Sequence, residues 1–185
     1  MCYNRRMIFY MTVDTCAYCA SCPNRLFNAG RNIEVGIGCI TSDTVLVIPR
    51  AYGKENRDRF IGILKAMWLD ITNYELLEQC YVTYDIKCPR YPSYNVTKDA
   101  NIHCNRIMCQ ELASIKYKFM IIFGRAWNTV LPGNSTFKSF YSNGYHILYI
   151  PLNLTKLGDA EHIKAVKSKL AKAIQHFNKY RYMRT

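Results

Sequence analysis

Apolar positions along this chain fall into short continuous runs separated by longer stretches of helical period. Thr44–Ile48 reads T-V-L-V-I and ends at Pro49. Residues 80–86 form a second run, closed by Pro89, and Phe119–Phe123 a third, stopped by Gly124. Tyr145–Ile150 is the fourth and stops at Pro151. Runs of this length, rich in β-branched and aromatic residues, predict strands buried on both faces. Between them lie helical patterns. Residues 57–69 place Phe60, Ile63, Leu64 and Met67 on one face. Residues 98–116 are apolar on two sides, with Ile102, Cys109, Leu112 and Ala113 on one and Cys104, Ile107, Met108 and Ile115 on the other. A helix apolar on two sides is expected to be deeply buried. Residues 159–182 form the last helix, with Asp159 as its cap and Glu161 in the first turn. Its inward stripe is Ile163, Val166, Leu170, Ile174 and Phe177.

Strands that are apolar on both faces and alternate with helices predict a mainly parallel sheet covered on both sides. The expected fold is α/β: a three-layer α/β/α arrangement around a central, mainly parallel, four-stranded sheet. The 185 residues suit a single domain with a cysteine-rich N-terminal segment. Ligands in such folds sit beyond the carboxyl ends of the strands. Here those ends are residues 49–56, 86–94, 124–128 and 151–157.

Charge changes the picture next. Twenty-five Lys and Arg face thirteen Asp and Glu, a net charge of +12. Such an excess on a small domain points to a polyanion, and DNA is the expected partner. From His162 onward there is no acidic residue. Lys164, Lys167 and Lys172 on the last helix are the candidate phosphate contacts, the alternative being a solvated face. No run of about 18 apolar residues is present, so no membrane partner is expected. The apolar stretch near the start is too short for a signal peptide, so the expected location is intracellular.

Nine cysteines need a chemical reason in a chain expected to be intracellular. Cys16, Cys19 and Cys22 form a C-x-x-C-x-x-C run. Cys88 follows the second strand in K-C-P, and Cys104 lies near the start of a helix, where a thiolate is favoured. Four sulfurs drawn from three such segments suit either a four-cysteine zinc site or a [4Fe–4S] cluster, and spacing alone does not separate the two.

Taken together, these motifs resemble the family 4 type of uracil-DNA glycosylases, which carry a [4Fe–4S] cluster. Residues 16–25 look like that family's C-x-x-C-x-L-C-x-x-R start, and residues 31–38 (R-N-I-E-V-G-I-G) like its R-x-x-V-x-G-x-G. Residues 81–88 (Y-V-T-Y-D-I-K-C) are similar to its strand Y-I-T-N-x-x-K-C. Cys104 follows Cys88 by sixteen residues, and Gly124 follows Cys104 by twenty, as in the family. The likeness spans residues 16 to 180 and implies a uracil-DNA glycosylase-like fold. It implies a cluster held by Cys16, Cys19, Cys88 and Cys104, with Cys22 as the alternative to Cys16.

The same resemblance marks a base pocket whose motifs have changed. Where the family has G-E-x-P-G, this chain keeps Gly53 and an acid, Glu55, beside Tyr52. The stacking segment R-P-F-V-G survives as Arg59-Phe60-Ile61-Gly62, so Phe60 is expected to stack on a base or pack in the core. Tyr84 stands where an Asn reads the uracil edge, and Asn153 where a His stabilises the departing anion. The implied substrate-binding residues are Tyr52, Gly53, Phe60 and Tyr84; the implied catalytic ones are Asn153, Tyr84 and Glu55. A Tyr hydroxyl supplies only half of an amide's paired donor and acceptor, and Asn carries no positive charge. The expected function is action on a flipped or modified base in DNA, by excision or modification, with plain uracil a poor substrate. The alternative is a non-catalytic DNA-binding subunit that retains the fold.

Overall fold

The computed structural model describes residues 16–22, 25, 28–49, 54–88, 98–124, 126, 139–142 and 145–182, with side chains outside the description at 54–56, 98–101, 139–142 and 182. Six strands form one sheet: β1 (Ile37–Gly38), β2 (Thr44–Ile48), β3 (Tyr81–Tyr84), β4 (Phe119–Phe123), β5 (Ser139–Ser142) and β6 (Tyr145–Ile150). Their order is β1-β3-β2-β4-β6-β5. The inner four strands are parallel, with Val45 of β2 opposite both Tyr81 and Met120, and Phe123 opposite Ile150. Both edge strands run antiparallel to their neighbours. The sheet therefore has two strands beyond the four expected.

Side chains on a strand alternate between faces, so each face needs its own cover. One is covered by α1 (Lys54–Thr72) and α4 (Ala160–Tyr182), which bring Phe60, Leu64, Val166 and Leu170 against Leu46, Ile48, Phe119 and Ile121. The other is covered by α3 (Lys98–Ala113), whose Met108 and Leu112 meet Val45, Val47, Met120 and Ile122. Each such side chain contributes roughly 1.5–3 kcal/mol when fully buried. A four-residue helix, α2 (Leu76–Gln79), leads into β3.

The expectation for α3 needs correcting. Cys104, Ile107, Met108, Leu112 and Ile115 are buried, but Cys109 and Ala113 face solvent and Ile102 is 40% exposed. One side of the helix faces the sheet and the cysteines, and nothing requires the other to be covered.

Local chemistry sets the ends of these elements. Asp159 accepts from the amides of Glu161 and His162, capping α4 as its sequence predicts. Asn73 ends α1 in the left-handed region, φ 61°. Gly36 and Gly38 let the chain lie against β3: a Cβ at Gly36 would come within 2.6 Å of the Tyr81 ring, and one at Gly38 within 2.3 Å of the Cys80 carbonyl. Gly124, at φ 53°, closes β4 where a Cβ would strike the Leu152 carbonyl. No helix among the described residues is long and apolar enough to cross a membrane.

Candidate metal centre and its surroundings

Cys16, Cys19 and Cys22 lie along a run of i to i+3 backbone bonds. The amide of Cys19 donates to the Cys16 carbonyl, that of Cys22 to Cys19, and that of Arg25 to Cys22, each at 2.9–3.0 Å. Ala17–Cys19 form a single 3-10 turn, with Cys16 as its extended N-cap and Cys22 beyond it. Cys88 follows the carboxyl end of β3, and Cys104 sits in α3 on its inward side. All five of these cysteines are buried, and none is in a disulfide.

The sulfurs fall into two contacting sets, Cys16 with Cys19, and Cys88 with Cys104 and Cys22. The Cys19 and Cys16 thiols are hydrogen-bonded, and Cys19 also lies in the field of Cys104 and Cys22. Burial first, then Cys16, pushes the Cys19 thiol well up from its ordinary value. Cys88 donates to Cys104 and contacts Cys22, which together with burial raise it strongly. Cys104 is the acceptor of that pair and is lowered, first by Cys88, with the Lys87 backbone amide helping and burial opposing. A metal group bound to such thiols as thiolates would offset their burial with its positive charge. Among the described residues, no three His, Cys, Asp or Glu side chains are gathered as ligands of a single metal ion. Cys109 is exposed on the far side of α3.

Beside the cysteines lies a polar network that the sequence motifs mark only as part of a strand. Lys87 and Glu111 are buried and ion-paired. The Glu111 carboxylate also accepts from the Tyr81 hydroxyl at 2.6 Å, the Thr83 hydroxyl at 3.0 Å and the Gly36 amide at 2.5 Å. The Lys87 ammonium also contacts Thr83. Burial and the Glu111 charge push the Tyr81 hydroxyl well above its ordinary range. Glu111 escapes a reading of the sequence because one acid in an apolar helix stripe looks like an interruption; its signal is that very position.

Of the expected base-pocket residues, the structure describes the side chains of Phe60, Tyr84 and Asn153. Tyr52 and Gly53 lie outside the described residues, as does the Glu55 side chain. Phe60 is 1% exposed and packs edge-on against Phe123, which is the core alternative of its two sequence readings. Tyr84 is buried at the carboxyl end of β3, with the Arg57 guanidinium 5.4 Å over its ring. Arg57 is itself paired to Glu34 at 2.5 Å. Asn153 is exposed, and its side-chain oxygen accepts from the Thr155 amide and hydroxyl, capping a 3-10 turn at Leu154–Lys156. Its backbone amide donates to His162 Nε2 at 3.1 Å. That brings a histidine next to Asn153, from the first turn of α4, to which no motif points. His146, near Asn153 in sequence, instead packs against Tyr180 at the amino end of β6.

The lysines divide. Lys164 and Lys172 are exposed on α4, whereas Lys167 is paired with Asp70 of α1. A cavity of about 340 Å³ lies at the amino ends of the strands, between Thr44, Trp68, Phe177 and Arg181, away from the expected ligand side of the sheet. No family model matches this chain, and no curated protein matches it.

Proposed function

We propose that this chain is an iron–sulfur, DNA-binding protein of the uracil-DNA glycosylase superfamily, acting on a flipped or modified base and inefficient on plain uracil. The observation that carries the reading is the convergence of five buried thiols from three segments at the spacing of the family's cluster motif. Four of them would hold a [4Fe–4S] cluster. The likeness of the cysteine spacing to the family's cluster motif is what favours the cluster over zinc. Exposed lysines on α4 and the +12 charge support a DNA partner.

The second reading is a DNA-binding subunit without catalysis. It is favoured by three side chains: Phe60 is sealed in the core, Tyr84 lies under Arg57, and the Asn153 oxygen is taken up by its own turn. Losing one preorganised anion stabiliser costs roughly 10²–10³ in rate. Plain uracil should therefore be excised orders of magnitude more slowly than by a glycosylase with the unaltered motifs.

Protein purified without air should be brown, with bound iron and sulfide. Cys104→Ser should lose the iron, while Cys109→Ser, altered at an exposed thiol, should keep it. Equal loss in both would sink the cluster assignment, and a colourless zinc protein would replace it. Single-turnover incubation with oligonucleotides carrying uracil or other modified bases then separates an enzyme from a binding subunit. Rapid uracil release would overturn the substrate half of the proposal.

A further inference from the structure

Two buried cysteines lie away from the cysteine-rich site, at the other end of β3. We infer that Cys39 and Cys80 are a cross-strand thiol pair that a low-molecular-weight disulfide, such as oxidised glutathione, converts to a Cys39–Cys80 disulfide. Neither residue is a candidate cluster ligand, so the inference stands apart from the cluster reading.

The pairing follows from register. β1 meets β3 antiparallel, with Ile37 opposite Val82 and Gly38 opposite Tyr81. One step further along both chains sets Cys39 opposite Cys80, and the Cys39 amide donates to the Cys80 carbonyl at 3.1 Å. The approach is close, since a Cβ at Gly38 would come within 2.3 Å of that same carbonyl. Residues directly opposite in an antiparallel pair have Cα atoms about 4.5–5.5 Å apart and side chains on one face. A disulfide needs Cα atoms about 4.4–6.8 Å apart. The backbone is therefore already placed for the bond, while both residues are reduced thiols.

Burial sets the order of events. Cys80 is 0% exposed, whereas Cys39 is 6% exposed and its sulfur lies 3.2 Å from the Thr41 hydroxyl. Cys39 directly follows β1, an edge strand of two residues, and so short an edge opens locally with little free energy. Cys39 is thus the sulfur that meets the oxidant. Its thiolate attacks one glutathione sulfur and releases the first glutathione thiolate, which takes up the proton that Cys39 gave. The Cys80 thiol, losing its own proton, then displaces the second glutathione from Cys39. Two protein thiols are oxidised and one glutathione disulfide is reduced to two glutathiones. The new bond encloses β2 and α1 in one covalent loop, which restricts the unfolded chain.

The test incubates anaerobically purified full-length protein with oxidised glutathione, alkylates the remaining thiols and maps the peptides by mass spectrometry. The expected product joins the Cys39 peptide to the Cys80 peptide and is lost on adding dithiothreitol. Cys80→Ser should stop at glutathione on Cys39, and Cys39→Ser should leave Cys80 reduced. The exposed thiol of Cys109 should take up glutathione in every variant, as the measure that oxidant has acted. Should Cys80→Ser fail to fold, Cys39→Ser and the wild-type peptide map decide alone. The cross-linked protein should unfold at higher urea than the reduced one; an equal or lower midpoint would mean a bond made by distorting the fold, and overturns the pairing. So does Cys80 joined to any other cysteine, or Cys39 and Cys80 both still reduced once Cys109 is modified.

Discussion

A carboxylate on the inward side of a helix is stable only where something answers its charge. Glu111 is answered by the Lys87 ammonium, two hydroxyls and a backbone amide. Its partners come from the strand that leads to Cys88 and from the segment that follows the cysteine loop. Removing one member of a buried ion pair strands the other, at a cost of about 3–5 kcal/mol. Glu111→Ala should lose that much in urea unfolding. The double change Lys87→Met with Glu111→Leu should lose much less, because neither charge is left behind. A single variant no worse than the double would show that the pair is already solvated. At this scale the sequence is partly legible. Cysteines at fixed spacing announce themselves, whereas spacing leaves Cys16 and Cys22 as alternatives. Phe60 fits both a base-stacking motif and the α1 core stripe, and only its contact with Phe123 tells the two apart.

Among the elements, α4 is the one on which charge and packing are most cleanly separated. Val166, Leu170 and Phe177 are buried against the sheet, and Lys164 and Lys172 stand on the opposite side. Each phosphate contact contributes about 0.9 to the slope of log K against log salt. Changing Lys164 and Lys172 together to Gln should weaken DNA binding and reduce the slope by up to about 1.8. Lys167→Gln should change the slope less, since its ammonium is paired with Asp70. A slope change for Lys167→Gln as large as half that of the double variant, measured by titration over a range of salt, would count against that division. The four inner strands are legible because burial on both faces writes a continuous apolar run. β1, with two residues, and β5, reading S-F-Y-S, are edges and carry no such run. The two-sided reading of α3 fails because apolar type is not burial: Ile102 and Ala113 satisfy the pattern without being covered.

For the molecule as a whole, buried acids that stay protonated set an alkaline limit. Burial raises Cys80 well above the ordinary thiol value of 9.0, and burial with Glu111 raises Tyr81 above the phenol value of 10.0. Above those values the unfolded chain releases protons that the folded chain keeps, so the unfolded state binds fewer. Stability is fully present below about pH 9 and falls as pH rises further, by about 1.4 kcal/mol per pH unit for each group. Urea midpoints of the metal-free protein should therefore decline from pH 9 to 11, and Tyr81→Phe should make the decline shallower. A flat profile would mean that both groups ionise in the folded state. The Arg181 side chain, near the end of α4, reaches back to Asp43 and Thr44 at the start of β2, across 138 residues of chain. A contact so distant in sequence forms late, because loop closure must precede it. During synthesis, Leu46, Phe119 and Ile121 wait for α4 to complete the cover that α1 begins, so the vulnerable species is a nascent chain with one sheet face half covered. How quickly the ribosome delivers the last helix, rather than the strength of any contact in the finished fold, would then govern how much of this protein escapes aggregation.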